Sequence, residues 1–218
     1  MIKARFALLL WLMTLHGIAA AVVFTQTNIS GDSDVLNSGT LIAANSVGSG
    51  SAVTINGLAF GTDHSGLGNF STGGGDFSTD PFSSDLDNML SGLMYTGNGS
   101  PGTLNLNSLT VGQDYRLQLF VSNDVNSTGE NQSVIVQGVT HAMGFWRPNA
   151  VNLTAEFTAT TSVLSVSFIN NGARTVFNGY ALHDVSTASS VPIGPTPVAL
   201  LLGLIGIRVT RMRQTAKR

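Results

Sequence analysis

Apolar and polar side chains alternate in short windows along the middle of the chain, the two-residue period of half-buried β-strands. In Gln113–Val121, Tyr115, Leu117, Leu119 and Val121 share one face. Ser133–Val139 sets Val134 and Val136 against Ile135, and Ser162–Ile169 sets Leu164, Val166 and Phe168 against Val163 and Ser165. In Gly102–Leu109, Leu104 and Leu106 alternate with asparagines. Asn56-Gly57 separates Ala52–Ile55 from Leu58–Phe60, and Asn170-Asn171-Gly172 separates Val166–Ile169 from Thr175–Tyr180. Asn-Gly accepts the positive φ of a tight hairpin, so both are read as turns between paired strands.

The period changes once. Leu86, Met89, Leu90, Leu93 and Met94 recur at helical spacing, behind Ser83 and Ser84 as caps and ahead of Gly97. Asp85 and Asp87 fall in the first turn, where the helix dipole favours anions. His64 to Ser83, rich in Gly and Ser, is read as a long loop leading into this helix, which covers an open end or edge of the sheets. Short strands, one helix and no βαβ alternation predict an all-β fold, an antiparallel β-sandwich of jelly-roll type with one short helix.

The two ends differ from the middle. Lys3 and Arg5 precede the apolar run Phe6–Leu15, and small residues follow in Gly17-Ile18-Ala19 and Ala19-Ala20-Ala21. That order is a secretory signal helix over residues 1–21, cut by signal peptidase after Ala19 or Ala21. At the other end Val191, Pro192, Pro195 and Pro197 lie in a proline-broken linker, residues 187–197. An apolar helix, Val198–Ile207, and a basic end bearing Arg208, Arg211 and Arg213 complete residues 198–218. The domain between them is residues 22–186.

Charge sharpens this partition. Seven of the ten basic residues lie in the two ends, so residues 22–186 carry 3 − 12 = −9. A domain of that sign repels phosphate backbones, which argues against nucleic acid as a partner. With no cysteine in the chain, a disulfide framework, a thiolate zinc site and a cysteine nucleophile are excluded.

The proline–apolar–basic end resembles the PEP-CTERM sorting signal that exosortases handle in Gram-negative bacteria, with Val191-Pro192-Ile193-Gly194 where the usual motif is Val-Pro-Glu-Pro. Three further stretches, Asn28–Val35 and Asn37–Leu41 with Val53–Gly57, Leu109–Leu119 and Asn178–Asp184, resemble exported proteins of planctomycetes and verrucomicrobia. That resemblance implies a galactose-binding-like jelly roll, an envelope address and an exosortase-like sorting enzyme as partner, with no activity attached. It also implies that a structural calcium could sit near the chain ends.

Three groupings carry candidate chemistry. His141 to Pro148 places Trp146 beside Arg147, and Asn123 and Asp124 follow the Tyr115–Val121 strand. Sugars bind through C–H faces on aromatic rings plus polar donors, so Trp146, Arg147, His141, Asn123 and Asp124 form a candidate glycan site. Asp32, Asp34 and Asp184 are candidate calcium donors, since hard cations favour carboxylate oxygens. Gly31-Asp32-Ser33 resembles an esterase nucleophile motif, although the late pair is His183-Asp184 and no strand-to-helix elbow is expected. The leading expectation is an exported, non-enzymatic structural or adhesive protein of the cell surface or extracellular matrix, with transient membrane association through its tail. Alternatives are a carbohydrate-binding module with a structural calcium, recognising an extracellular glycan, and a secreted hydrolase.

Overall fold

A computed structural model describes residues 21–48, 50–74, 82–97, 100–122, 131–144, 149–172 and 174–186. The chain divides into two units, Met1–Ser186 and Thr187–Arg218, and every described residue belongs to the first. The signal segment up to residue 20, the linker and the tail lie outside the described residues. Fifteen strands are described: β1 (Val23–Asn28), β2 (Thr40–Ser46), β3 (Val53–Ile55), β4 (Leu58–Phe60), β5 (Leu67–Gly68), β6 (Ser71–Gly74), β7 (Gly92–Thr96), β8 (Gly102–Leu106), β9 (Asp114–Val121), β10 (Gln132–Val136), β11 (Val139–Gly144), β12 (Val151–Thr158), β13 (Leu164–Asn170), β14 (Thr175–Phe177) and β15 (Gly179–Asp184). One α-helix, α1 (Ser84–Ser91), precedes β7.

The strands form an antiparallel β-sandwich. One sheet runs β1-β12-β9-β15-β2 and the other β11-β10-β13-β8-β5. Their facing sides bury the alternating residues: Leu117, Leu119, Leu153, Ala155 and Leu182 from the first sheet, Leu104, Val134, Val136, Val166 and Phe168 from the second. The alternation in the sequence therefore reports the shared core. A second apolar cluster covers part of the outer face of the first sheet, where Leu86, Met89 and Leu90 of α1 and Ile55 and Phe60 of the β3–β4 hairpin pack with Phe120 and Ala181. The Asn56-Gly57 turn is as expected, with positive φ at both residues.

Four expectations need correction. The helix ends at Ser91, and Leu93 and Met94 belong to β7, which pairs with β6 and β14. The cap is Ser83, whose Oγ accepts from Leu86 N at 3.1 Å. The stretch from His64 to Ser83 contains β5 and β6 and is not a simple loop. Val139 opens a new strand, because Gln137 and Gly138 both take positive φ and turn the chain from β10 into β11. Thr175–Tyr180 is not one strand paired with β13. It breaks at Asn178, with β14 joining β7 and β15 joining β9 and β2. The cause is in the side chains: buried Gln132 of β10 donates to Val176 O and accepts from Val176 N, at 3.1 and 2.8 Å, so a carboxamide stands in for a ladder partner.

Candidate functional site

The two sheets are closed along one side and open along the other. On the closed side β1 meets β11: His141 stacks on Phe24 with ring centroids 5.2 Å apart, and its Nε2 lies 3.1 Å from Gln26 Oε1. His141 is thus a latch between two edge strands. On the open side β2 has only the two-residue β5 across from it, so the sandwich interior reaches solvent there.

A pocket of about 300 Å³ fills that gap. Its floor is Tyr180 and Leu182 of β15 with Ala43 and Asn45 of β2, and its far wall is Asn105, Leu106 and Asn107 from β8 and the turn after it. Tyr180 and Asn45 are register partners, which brings their side chains together. Asn45 Nδ2 donates to the Tyr180 hydroxyl at 2.8 Å, leaving the phenolic proton available to a ligand. Asn45 Oδ1 accepts from Asp63 N at 3.0 Å, and Ser65 N and Oγ donate to the Asp63 carboxylate at 2.9 and 3.1 Å. Asp63 is thereby fixed at the rim. The Ser65 amide, then its hydroxyl, hold the Asp63 carboxyl below its ordinary value, so it is ionised at neutral pH. Burial pushes the Tyr180 phenol above its ordinary value, so it stays a donor. Asn105 and Asn107 are exposed, and neither carboxamide makes a hydrogen bond among the described residues.

A larger cleft, about 460 Å³, lies on the outer face of the first sheet and includes Ser33, Asp34, Arg116, Asn152 and Glu156. The Arg116 guanidinium and the Asn152 amide in it are already committed. Arg116 Nε donates to Glu156 Oε1 at 2.9 Å and Arg116 Nη1 to Ser38 Oγ at 2.8 Å, while Asn152 Nδ2 donates to Asp34 O at 3.1 Å. The edge pocket is the better ligand site because the carboxamides of Asn105 and Asn107 and the Tyr180 phenolic proton are not spent within the protein.

Of the residues expected to bind sugar, Trp146, Arg147, Asn123 and Asp124 lie outside the described residues, and His141 lies on the closed side, away from the pocket. The candidate calcium donors Asp32, Asp34 and Asp184 are not brought into one metal-holding group among the described residues. Asp34 Oδ2 accepts from Ser30 N, Ser30 Oγ and Gly31 N, at 2.6, 2.8 and 3.2 Å. The Asp34 carbonyl rests over Gln118, whose register partner Ala181 is three residues from Asp184, about 10 Å along the strand. Asp184 Oδ1 accepts from Ser186 N at 2.9 Å. Among the described residues no group of three or more His, Asp and Glu could hold a metal ion. Ser33 sits in a 3-10 turn, Asp32–Asp34, and not on a strand-to-helix elbow.

His183 is fully buried on β15, and neither ring nitrogen has a hydrogen-bond partner. Burial, then the Arg116 charge, lowers its pKa from the ordinary 6.5. The unfolded chain therefore binds this proton more readily than the folded one. The stability contributed by neutral His183 is complete above the unfolded value and is lost as pH falls from about 6.5 through the folded value. Chemical denaturation between pH 8 and pH 5 is expected to show an acid loss that is smaller in His183→Leu. An identical slope in that variant would reject the assignment.

The fold and pocket define a class: an antiparallel β-sandwich with one short helix and a polar pocket at its open edge. No protein-family model matches the chain, and no curated protein matches it. Among solved structures it is similar to the ANX1 ectodomain from Arabidopsis thaliana, with a TM-score of 0.54 and 17% identity over 67% of this chain and 42% of that one. It is also similar to a calcium binding mutant of Bacteroides uniformis beta-glucuronidase 2, with a TM-score of 0.50 and 15% identity over 75% of this chain and 22% of that one. The chain spans less than half the length of either. At these identities the likeness is one of fold.

Proposed function

We propose that the protein is a non-catalytic glycan-binding module of an exported protein. The observation that supports this most is the edge pocket, where an ionised carboxylate, two uncommitted carboxamides and a phenolic donor surround an apolar floor. Sugar hydroxyls need acceptors and donors interleaved at short range. Asp63 accepts, Tyr180 donates, and Asn105 and Asn107 do both. Leu106 and the half-buried Ala43 offer apolar contact to C–H groups. The sandwich fold shared with the ANX1 ectodomain and with part of a beta-glucuronidase is compatible with this role and does not specify it.

The side chains of Asn105 and Asn107 are exposed and make no hydrogen bond among the described residues. Replacing both by alanine is expected to weaken glycan binding about tenfold, two hydrogen bonds' worth, without moving the melting temperature. Calorimetric titration against a glycan panel, with a thermal melt of each variant, checks this. Unchanged affinity in the double variant would move the site elsewhere.

The address belongs to the same proposal. The order of charge, apolar run and small residues at the N-terminus supports export, and the proline–apolar–basic end supports sorting by an exosortase-like enzyme to the cell surface. Intact mass of the protein from its host is expected to show a start at Ala20 or Val22. Retention of Phe6–Leu15 would reject export by this signal.

A further inference from the structure

We infer that the edge pocket selects uncharged sugars and excludes uronates and sulfated sugars. This rests on the glycan reading and adds a charge rule to it. Asp63 is the one charged residue among those forming the pocket, and no lysine or arginine is among them. Its carboxylate is held in place by Ser65 N and Oγ, and the segment carrying both is pinned to the sheets through Asp63 N on Asn45 Oδ1 and Asn105 N on Gly66 O at 2.8 Å. The carboxylate therefore cannot easily swing away from an approaching anion.

The donors oppose an anion too weakly to compensate. Those facing the pocket are neutral: the Tyr180 and Ser108 hydroxyls and the carboxamides of Asn105 and Asn107. Sites that recognise carboxylate or sulfate use guanidinium or ammonium groups, because a charged donor is needed to repay the desolvation of the anion. The His64 imidazole lies close enough to act on Asp63, and it is not among the residues that form the pocket. The formal charge of residues 22–186, 3 − 12 = −9, acts in the same direction at longer range. A hydroxymethyl group on a hexose can instead donate to Asp63, an interaction a C6 carboxylate lacks.

The test uses isosteric pairs on the full-length chain at pH 8: methyl glucoside with methyl glucuronide, and methyl galactoside with methyl galacturonide. In at least one pair the neutral sugar is expected to bind about threefold or more tighter at low salt, the scale of one exposed charge–charge contact. The ratio is expected to shrink in 1 M salt and in Asp63→Asn, whatever that change does to the neutral sugar's own affinity. Equal or tighter binding of the uronide, or a ratio unmoved by salt and by Asp63→Asn, would overturn the charge rule while leaving a glycan site in place. Failure of all four sugars and of longer glycans to bind would overturn the glycan reading itself, and this rule with it.

Discussion

Asn178→Ala is expected to lower stability by about 3 kcal/mol, a fall of roughly 10 °C in melting temperature for a domain of this size. Asn178 is fully buried at the break between β14 and β15. Its Oδ1 accepts from Ser122 N at 2.6 Å, and its Nδ2 donates to Leu90 O and Gly92 O at 2.7 and 2.8 Å. One side chain thus ties together the end of β9, the last turn of α1 and the first residue of β7. Alanine strips Ser122 N–H of its acceptor in a dry site, and a buried donor without a partner costs more than an average hydrogen bond contributes. Leu90 O keeps a second donor, Ser122 Oγ at 2.7 Å, so the loss falls mainly on Ser122 N and Gly92 O. Asn178→Leu separates the hydrogen bonds from the volume. It fills the space and restores no donor, so it is expected to be as damaging as alanine in chemical denaturation. A leucine variant as stable as the native chain would show that packing, not hydrogen bonding, holds this junction.

The same residue marks where the sequence stopped being legible. Periodicity reports which face of a strand meets the core, and it placed Leu104, Leu117, Leu119, Val134, Val166 and Phe168 in the interior where they are found. It says nothing about partners. Thr175 to Tyr180 reads as one strand after the Asn170-Asn171-Gly172 turn, and the side-chain bonds of Gln132 and Asn178 divide it between two sheets. The helix overran for a related reason. Leu93 and Met94 continue the helical spacing of Leu86 and Leu90, but they are buried equally well as neighbours in β7, whose ladder with β6 and β14 replaces the helical hydrogen bonds.

The pocket was legible only in fragments. Asn105 and Asn107 are the polar residues alternating with Leu104 and Leu106, while the segment bearing Asp63 and Ser65 reads only as the start of a loop. Their convergence with Asn45 and Tyr180 depends on the pairing of β2 with β15, which joins residues 135 positions apart. No local pattern encodes that separation. The Trp146 loop drew attention because an aromatic beside an arginine is a strong local signal. The uncommitted carboxamides of the edge pocket are a weaker signal, visible only after the fold shows that nothing within it uses them.

Gly48→Ala is the second large effect, expected to cost at least about 3 kcal/mol, from left-handed strain plus overpacking against atoms that cannot yield. Gly48 has a φ of +70°, and a methyl group there would sit 2.3 Å from Leu93 N and 2.4 Å from Leu93 O. Those are backbone atoms of β7, fixed on both sides by β6 and β14. Gly48 also follows Val47, whose N–H donates to Asn178 O at 2.9 Å, so the turn cannot back away without breaking into the Asn178 junction. Gly57 supplies the control. Its φ of +78° is similar, but nothing lies within 4 Å of a methyl group built on it. Gly57→Ala therefore carries the conformational cost alone, about 1 kcal/mol. The difference between the two variants in chemical denaturation isolates the close approach of the 47–50 segment to β7. Equal losses at Gly48 and Gly57 would mean that the turn can lift off Leu93 freely, and that the junction built around Asn178 is looser than its hydrogen bonds require.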